Sequence, residues 1–451
     1  MRVGRSLLVI CTVLLFTATV RRDGSSVVPV RLLAVEAAEL QTSDSQSADS
    51  QQQKKQAYSL PKEKLAKAIA LDRIRNVLNF AYPLWGLGVL WLLLASGAAV
   101  WLDAWSRRVS DRPAIHGLLF FTVLIVVVTV ADLPLDWYGH RVSLAYGISV
   151  QGWGSWLMDH AKALGLALLL SAPLMLLVHW IVRRSPRHFW FWAWLVALPV
   201  GLFITFAEPL GERIFNQFEP LSKNNPALVA ELAKVVARTG TSIPPDRMFL
   251  MKASAKTTGL NAYVTGLGTT KRIVVWDTTI GRVPDDEILY IFAHESGHYV
   301  LNHIVKGLLV GAIGIFFVFW ACARAAGWLV QRFGARWRIE SLGSAAGFVV
   351  LLLTVNIASF AGTPVGNLVS RHIEHEADVY GQEAVHGIVA DPQKTAVSTM
   401  NHLGEAWLED PNPNAFIEFW SYSHPSTQHR AEFAAGYDPW ANGGRGKFFD
   451  H

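Results

Sequence analysis

The stretch Pro284-Asp285-Asp286-Glu287-Ile288-Leu289-Tyr290-Ile291-Phe292-Ala293-His294-Glu295-Ser296-Gly297-His298 is the one from which the rest of the chain can be read. Proline is pre-set for a first helical turn, and the three acids after it favour the positive end of the helix dipole, so a helix begins here. Residues i and i+4 share a helix face. His294 and His298 can therefore present ring nitrogens to one metal ion, with Glu295 aimed at a water beside it. The 451-residue chain holds 15 histidines, and chance gives roughly 0.02 matches to such a pattern. A structural helix without metal carries the same spacing, so a third ligand has to decide.

That ligand is sought in Ser370-Arg371-His372-Ile373-Glu374-His375-Glu376-Ala377-Asp378, which follows Asn367. If the segment is helical, Asn367, Arg371, Glu374 and Asp378 fall on one face, and Glu374 completes a site of two histidines and one carboxylate. Asp378, one turn on, can accept the remaining N–H of a ligating histidine and fix its tautomer. His372, His375 and Glu376 are competing donors that point to other faces. Arg371 fits two roles equally, orienting the ligands or Asp378, or making a structural ion pair.

Composition places this site in a membrane protein. Hydrophobic residues make up 51% of the chain and charged ones 17%, which excludes an ordinary soluble globule, disorder, collagen and a disulfide scaffold. The two cysteines, Cys11 and Cys322, lie in apolar runs. Against 35 acidic residues stand 40 basic ones, gathered in short loops rather than one stripe, so no nucleic-acid partner is expected. Six runs are long enough to cross a bilayer, near 77–102, 114–135, 161–182, 188–208, 304–323 and 342–362. Tryptophans such as Trp101, Trp105, Trp137, Trp180 and Trp190 crowd their ends, where indoles straddle the headgroups. Residues 1–20, with Arg2 and Arg5 before the run Leu7 to Val20, read as a signal peptide or an uncleaved anchor, a seventh span. Residues 21–76 form a tether, polar and low in complexity from 39 to 57.

Positive charge near span ends governs orientation. Arg107, Arg108 and Arg112 lie between spans one and two, Arg183, Arg184 and Arg187 between three and four, and Arg324, Arg332, Arg336 and Arg338 between five and six. By parity these loops share one side. With that side cytoplasmic, the polar segments and the site lie on the exported face of a bacterial-type plasma (inner) membrane.

Between spans four and five, Arg272 to Trp276 is β-branched and apolar after a turn at Gly266 to Gly268, which predicts a strand. As an edge it can pair with an extended substrate backbone; as a core strand it only packs.

Together these segments resemble the M48 metallopeptidases, and among them the Ste24 type of CAAX prenyl protease. The resemblance covers roughly 130–451. It rests on the HExxH helix, on the pattern Asn367-x-x-Ser370-Arg371-x-x-Glu374-x-x-Ala377-Asp378, on Ser423-His424-Pro425 with Arg430, and on Asn261-Ala262-Tyr263 with Lys271 to Thr278. It implies a mainly α polytopic bundle with a gluzincin-like zinc peptidase domain carrying a small β-sheet. The four-span part is 77–208, the catalytic domain comes in two parts, 209–303 and 363–451, and a two-span hairpin, 304–362, separates them. It implies one zinc ion per chain on His294, His298 and Glu374, Glu295 as general base, and His424 as donor to the developing oxyanion. Asn261, Ala262, Tyr263, Ile273, Val274 and Val275 would line the substrate strand. The expected reaction is hydrolysis of a peptide or membrane-protein substrate, in CAAX-type processing or quality control. The rival reading is a peptide-binding assembly or quality-control factor that keeps the fold and cleaves little.

Overall fold

The computed structural model describes residues 57–266, 268–441 and 443–450. The expected leader and most of the polar segment after it lie outside the described residues. In chain order the helices are α1 (Lys62–Ala95), α2 (Ala98–Val109), α3 (Pro113–Ala145), α4 (Trp153–Arg184), α5 (Phe189–Phe215), α6 (Pro226–Thr239), α7 (Asp285–Val300), α8 (His303–Trp337), α9 (Ala345–Ala384), α10 (Pro392–Trp407), α11 (Ala415–Ser421) and α12 (Thr427–Gly436). Four short strands, β1 (Phe218–Pro220), β2 (Met248–Met251), β3 (Ala262–Thr265) and β4 (Arg272–Trp276), form one sheet. The molecule is thus mainly helical with a small sheet. Among the described residues six helices, α1, α3, α4, α5, α8 and α9, are long and apolar enough to cross a membrane.

Local chemistry sets the helix starts. Pro113, Pro226 and Pro392 stand at the first helical position, where the missing N–H costs nothing. Asp391 and Ser344 accept backbone N–H bonds from Lys394 and Gly347 as caps.

The spans run longer than the sequence reading, α3 to Ala145, α4 from Trp153, α5 to Phe215 and α8 to Trp337, so that Arg324, Arg332 and Arg336 lie on α8 rather than in a loop, and three further differences bear on the fold. The first span is Lys62–Ala95, not 77–102. Gly97, in the left-handed region at φ 78°, breaks the helix. The apolar residues after it belong to α2, which buries Leu102 and Asp103. Secondly, residues 58–76 are not tether. Tyr58 is fully buried, its N–H donates to Gln428 Oε1 at 2.8 Å and its hydroxyl to the Glu409 carbonyl at 2.9 Å. A single aromatic ring there, seated where a Cβ on Gly404 would come within 2.6 Å of it, anchors the entry into α1. Thirdly, the sixth span does not stop at 362. Its helix runs on through Glu374 as one element of 40 residues, about 60 Å long.

Among the described residues two large apolar cores stand beside a small cluster of Met251, Ala253, Tyr263 and Val274 on the sheet. One gathers Leu124, Ile125, Met175, Phe319, Phe348 and Val350 from the long helices. The other packs Tyr58, Leu71, Leu232, Val275, Tyr290, Phe292 and Tyr380 around α7, the end of α9 and the sheet. The arginine-rich loops lie together at one end of the bundle: His179 contacts the Gly343 carbonyl at 3.0 Å, and Asp103 accepts the Ala346 N–H at 3.1 Å. About 43 Å of helix separates Ala345 at that end from Glu374.

The sheet order is β1-β2-β4-β3, with β2 parallel to β4 and β3 antiparallel to it. β4 is therefore the core strand and not an edge. Ile273, Val274 and Val275 are buried to 1% exposure or less, and their ladder groups face partners on both sides, so they cannot receive a substrate. The edge next to α7 is β3.

Candidate metal centre

Two helices carry the donors, and glycines set how closely they cross. A Cβ at Gly381 of α9 would fall 2.9 Å from the His294 backbone, and one at Gly297 of α7 would fall 3.0 Å from the Tyr380 ring. At Gly381 the backbone would have to shift to admit a Cβ, and at Gly297 the Tyr380 ring would have to give by a few tenths of an ångström. At that crossing His294, His298 and Glu374 converge, all buried. The two Nε2 atoms are 3.4 Å apart, and Glu374 Oε2 lies 3.3 Å from His294 Nε2 and 3.7 Å from His298 Nε2. Zinc bonds of 2.0–2.1 Å in a tetrahedron would place neighbouring ligand atoms about 3.3 Å apart. The donor set therefore fits a zinc ion in both chemistry and spacing.

Each histidine is held from behind. His294 Nδ1 lies 2.9 Å from Asp378 Oδ1, and Arg430 grips Asp378 with one edge of its guanidinium, Nε and Nη2 donating at 2.9 and 2.6 Å. His298 Nδ1 lies 3.2 Å from Nδ1 of His303, whose Nε2 is 3.2 Å from Glu376 Oε2. Burial lowers the basicity of His294, but Asp378 and Glu374 outweigh it and raise the ring to about 9. A metal ion held by His294 would have to displace a proton from this ring at neutral pH. Burial keeps His298 well below the usual imidazole range, with Glu374 opposing.

His424 reaches the site from the loop after α11. Its Nε2 is 3.2 Å from Glu374 Oε1, and Ser423 Oγ is 2.9 Å from its Nδ1. Burial, only partly offset by Glu374, pushes it down to about 4, so the ring is neutral near pH 7. Glu295 is half-buried beside His294 on α7.

The structure moves Asn367 and Arg371 away from the role of supporting the ligands directly. Asn367 Nδ2 donates to the Trp420 carbonyl at 2.6 Å, and Arg371 Nη1 donates to the carbonyls of Glu418, Phe419 and Tyr422 at 3.1, 3.3 and 2.6 Å. Both close the end of α11, the step before His424. The competing donors do not converge. His372 is exposed, the exposed His375 stacks edge-on to Phe433 at 4.6 Å, and Glu376 serves His303. Ala262 and Tyr263 are buried in β3, and the Asn261 backbone is tied to Thr279 and Trp276.

His303 and Lys447 were missed in the sequence. The signal for His303 was Asn302, which takes φ 56°, a conformation asparagine tolerates, and so turns the chain sharply after α7. Nothing local marks Lys447.

A bundle of membrane-length helices that buries an HExxH helix against a glutamate on a second helix defines a membrane metallopeptidase. Residues 222–437 match the model of peptidase family M48, and residues 47–217 match that of the CAAX prenyl protease N-terminal domain with five membrane helices. The chain is similar to the metalloprotease YhfN of Bacillus subtilis, 33% identical over 80% of this chain and 84% of that protein. It is also 28% identical to CAAX prenyl protease 1 of Saccharomyces cerevisiae, over 70% and 71% of the two chains. The crystal structure of S. mikatae Ste24p superposes with a TM-score of 0.72 at 22% identity, covering 84% of this chain and 90% of that one. The chain belongs to peptidase family M48 as a Ste24-like, multi-pass membrane metalloprotease.

Proposed function

We propose that this protein is a zinc endopeptidase in which His294, His298 and Glu374 hold one ion per chain. The observation that carries the reading is the spacing of the three buried donor atoms, 3.3 to 3.7 Å, which matches a tetrahedral zinc set. A zinc ion held there supplies Lewis acidity for a scissile carbonyl and makes water a nucleophile near neutral pH. Glu295, next to a ligand but not one itself, takes the proton from the attacking water and passes it to the leaving amine. With the Ser423 hydroxyl donating to Nδ1, neutral His424 carries its proton on Nε2 and donates it to the negative charge growing on the carbonyl oxygen. The outer edge of β3, unpaired by any strand among the described residues, pairs with an extended substrate backbone.

The substrate is a peptide or a membrane-protein segment, in keeping with the CAAX prenyl protease named among the relatives. The arginine-rich end faces the cytoplasm and the site the exported side. The test is to map cuts in a peptide library by mass spectrometry, with purified protein before and after chelation and after zinc return. Cuts that vanish with the chelator and come back with zinc support the reading; cuts indifferent to metal would overturn it.

A further inference from the structure

The two histidine ligands are backed by chains of the same logic but different length. His294 leads to Asp378 and then to Arg430. His298 leads to His303, then to Glu376, then to Lys447, whose Nζ is 3.3 Å from Glu376 Oε1. Each chain ends on a carboxylate and a cation. Hydrogen placement in the longer chain is forced. For His298 to offer its Nε2 lone pair, its proton sits on Nδ1 and is donated to Nδ1 of His303. That atom must then be bare, so the His303 proton sits on Nε2 and is donated to Glu376. A carboxylate behind a ligating histidine fixes tautomer and ring plane; here a second imidazole is interposed. His303 is fully buried, so water does not compete for its contact with His298.

The end of the chain is built into place. Glu383, fully buried on α9, accepts the backbone N–H groups of Lys447, Phe448 and Phe449 at 2.7, 2.7 and 3.0 Å, and the Tyr437 hydroxyl. The Phe448 and Phe449 rings pack on Tyr380 at 5.5 and 5.2 Å, one residue before the Gly381 crossing.

We propose that the C-terminal segment 445–450 is part of the metal centre, where Lys447 and Glu376 act through His303 as positioning residues that hold His298 in its metal-binding tautomer. This rests on the zinc reading above. The test is zinc affinity of the purified full chain, by competition with a chromophoric chelator, alongside thermal unfolding in excess chelator. Lys447 and Glu376 are partly exposed, at 54% and 24% of their side chains, so Lys447→Met and Glu376→Gln leave the fold intact. Glu376→Gln weakens zinc binding by about 10–100-fold, Lys447→Met by less, and Lys447→Arg restores it, with unfolding of the chelated protein unchanged. His303→Phe, which keeps a ring but no acceptor, behaves as Glu376→Gln does. Affinities of Lys447→Met and Glu376→Gln equal to wild type would overturn the relay and leave the zinc reading standing. Loss of affinity matched by loss of chelated-state stability would also overturn it, assigning the tail to folding alone. Wild type that takes up no stoichiometric zinc removes both.

Discussion

At the scale of single residues, roles separate by what each side chain touches. In the proposed mechanism Glu295 would contribute a proton-transfer step and no ligand bond. Glu295→Gln is expected to cut turnover by about 10²–10⁴-fold while zinc content, read by mass spectrometry of the metal, stays at one per chain. Arg371 works at a distance: its guanidinium gathers three carbonyls at the end of α11 and so sets where His424 sits. Arg371→Ala should lower kcat on the order of 10–100-fold with KM little changed, and Arg371→Lys should recover only part, since an ammonium lacks the planar fork. A parallel fall in KM and kcat, or an unfolded protein, would contradict this. The sequence showed Arg371 on the face of Glu374. It did not show that its side chain reaches past the ligands to a loop some fifty positions onward, because helix periodicity fixes a direction and says nothing of what stands there.

At the scale of elements, the site depends on how closely α7 and α9 cross. Gly381 lets α9 lie against the His294 backbone, where an added Cβ would approach to 2.9 Å. Gly381→Ala should push the helices apart, costing about 1–3 kcal/mol of stability by denaturant unfolding and weakening zinc uptake, since Glu374 and the histidines ride on different helices. The ligand-bearing helices were legible as helices from proline, acid and spacing signals. The interruption at Gly97 was not, because the apolar run continues across it and hydropathy is blind to a left-handed φ. Strand β4 was legible as a strand but not in its place within the sheet. Arg272 to Trp276 has the β-branched content of a buried strand, which fits the centre of a sheet as well as an edge, and pairing with both β2 and β3 settled it.

At the scale of the whole molecule, two cores stacked along α9 join a membrane bundle to a peptidase domain. Zinc bound only by the folded site should raise stability by about 2.7 kcal/mol at a hundredfold excess over Kd. That gain, measured as a shift in thermal unfolding, should disappear in Glu374→Ala and persist in Glu295→Gln. A reporter that is active only outside the cytoplasm, fused after His451, should be active in cells; activity of a cytoplasmic reporter there would reverse the proposed orientation. By itself the sequence determined the membrane class and the HExxH pair, because hydropathy and helical periodicity are local and repeat along the chain, and it ranked Glu374 above His372, His375 and Glu376 as their partner. Tertiary structure alone decided that Tyr58 closes the domain, that β3 is the edge, and that Arg430 and Lys447 stand behind the two histidines. Those contacts join residues tens to hundreds of positions apart, and their geometry exists only once the helices have packed.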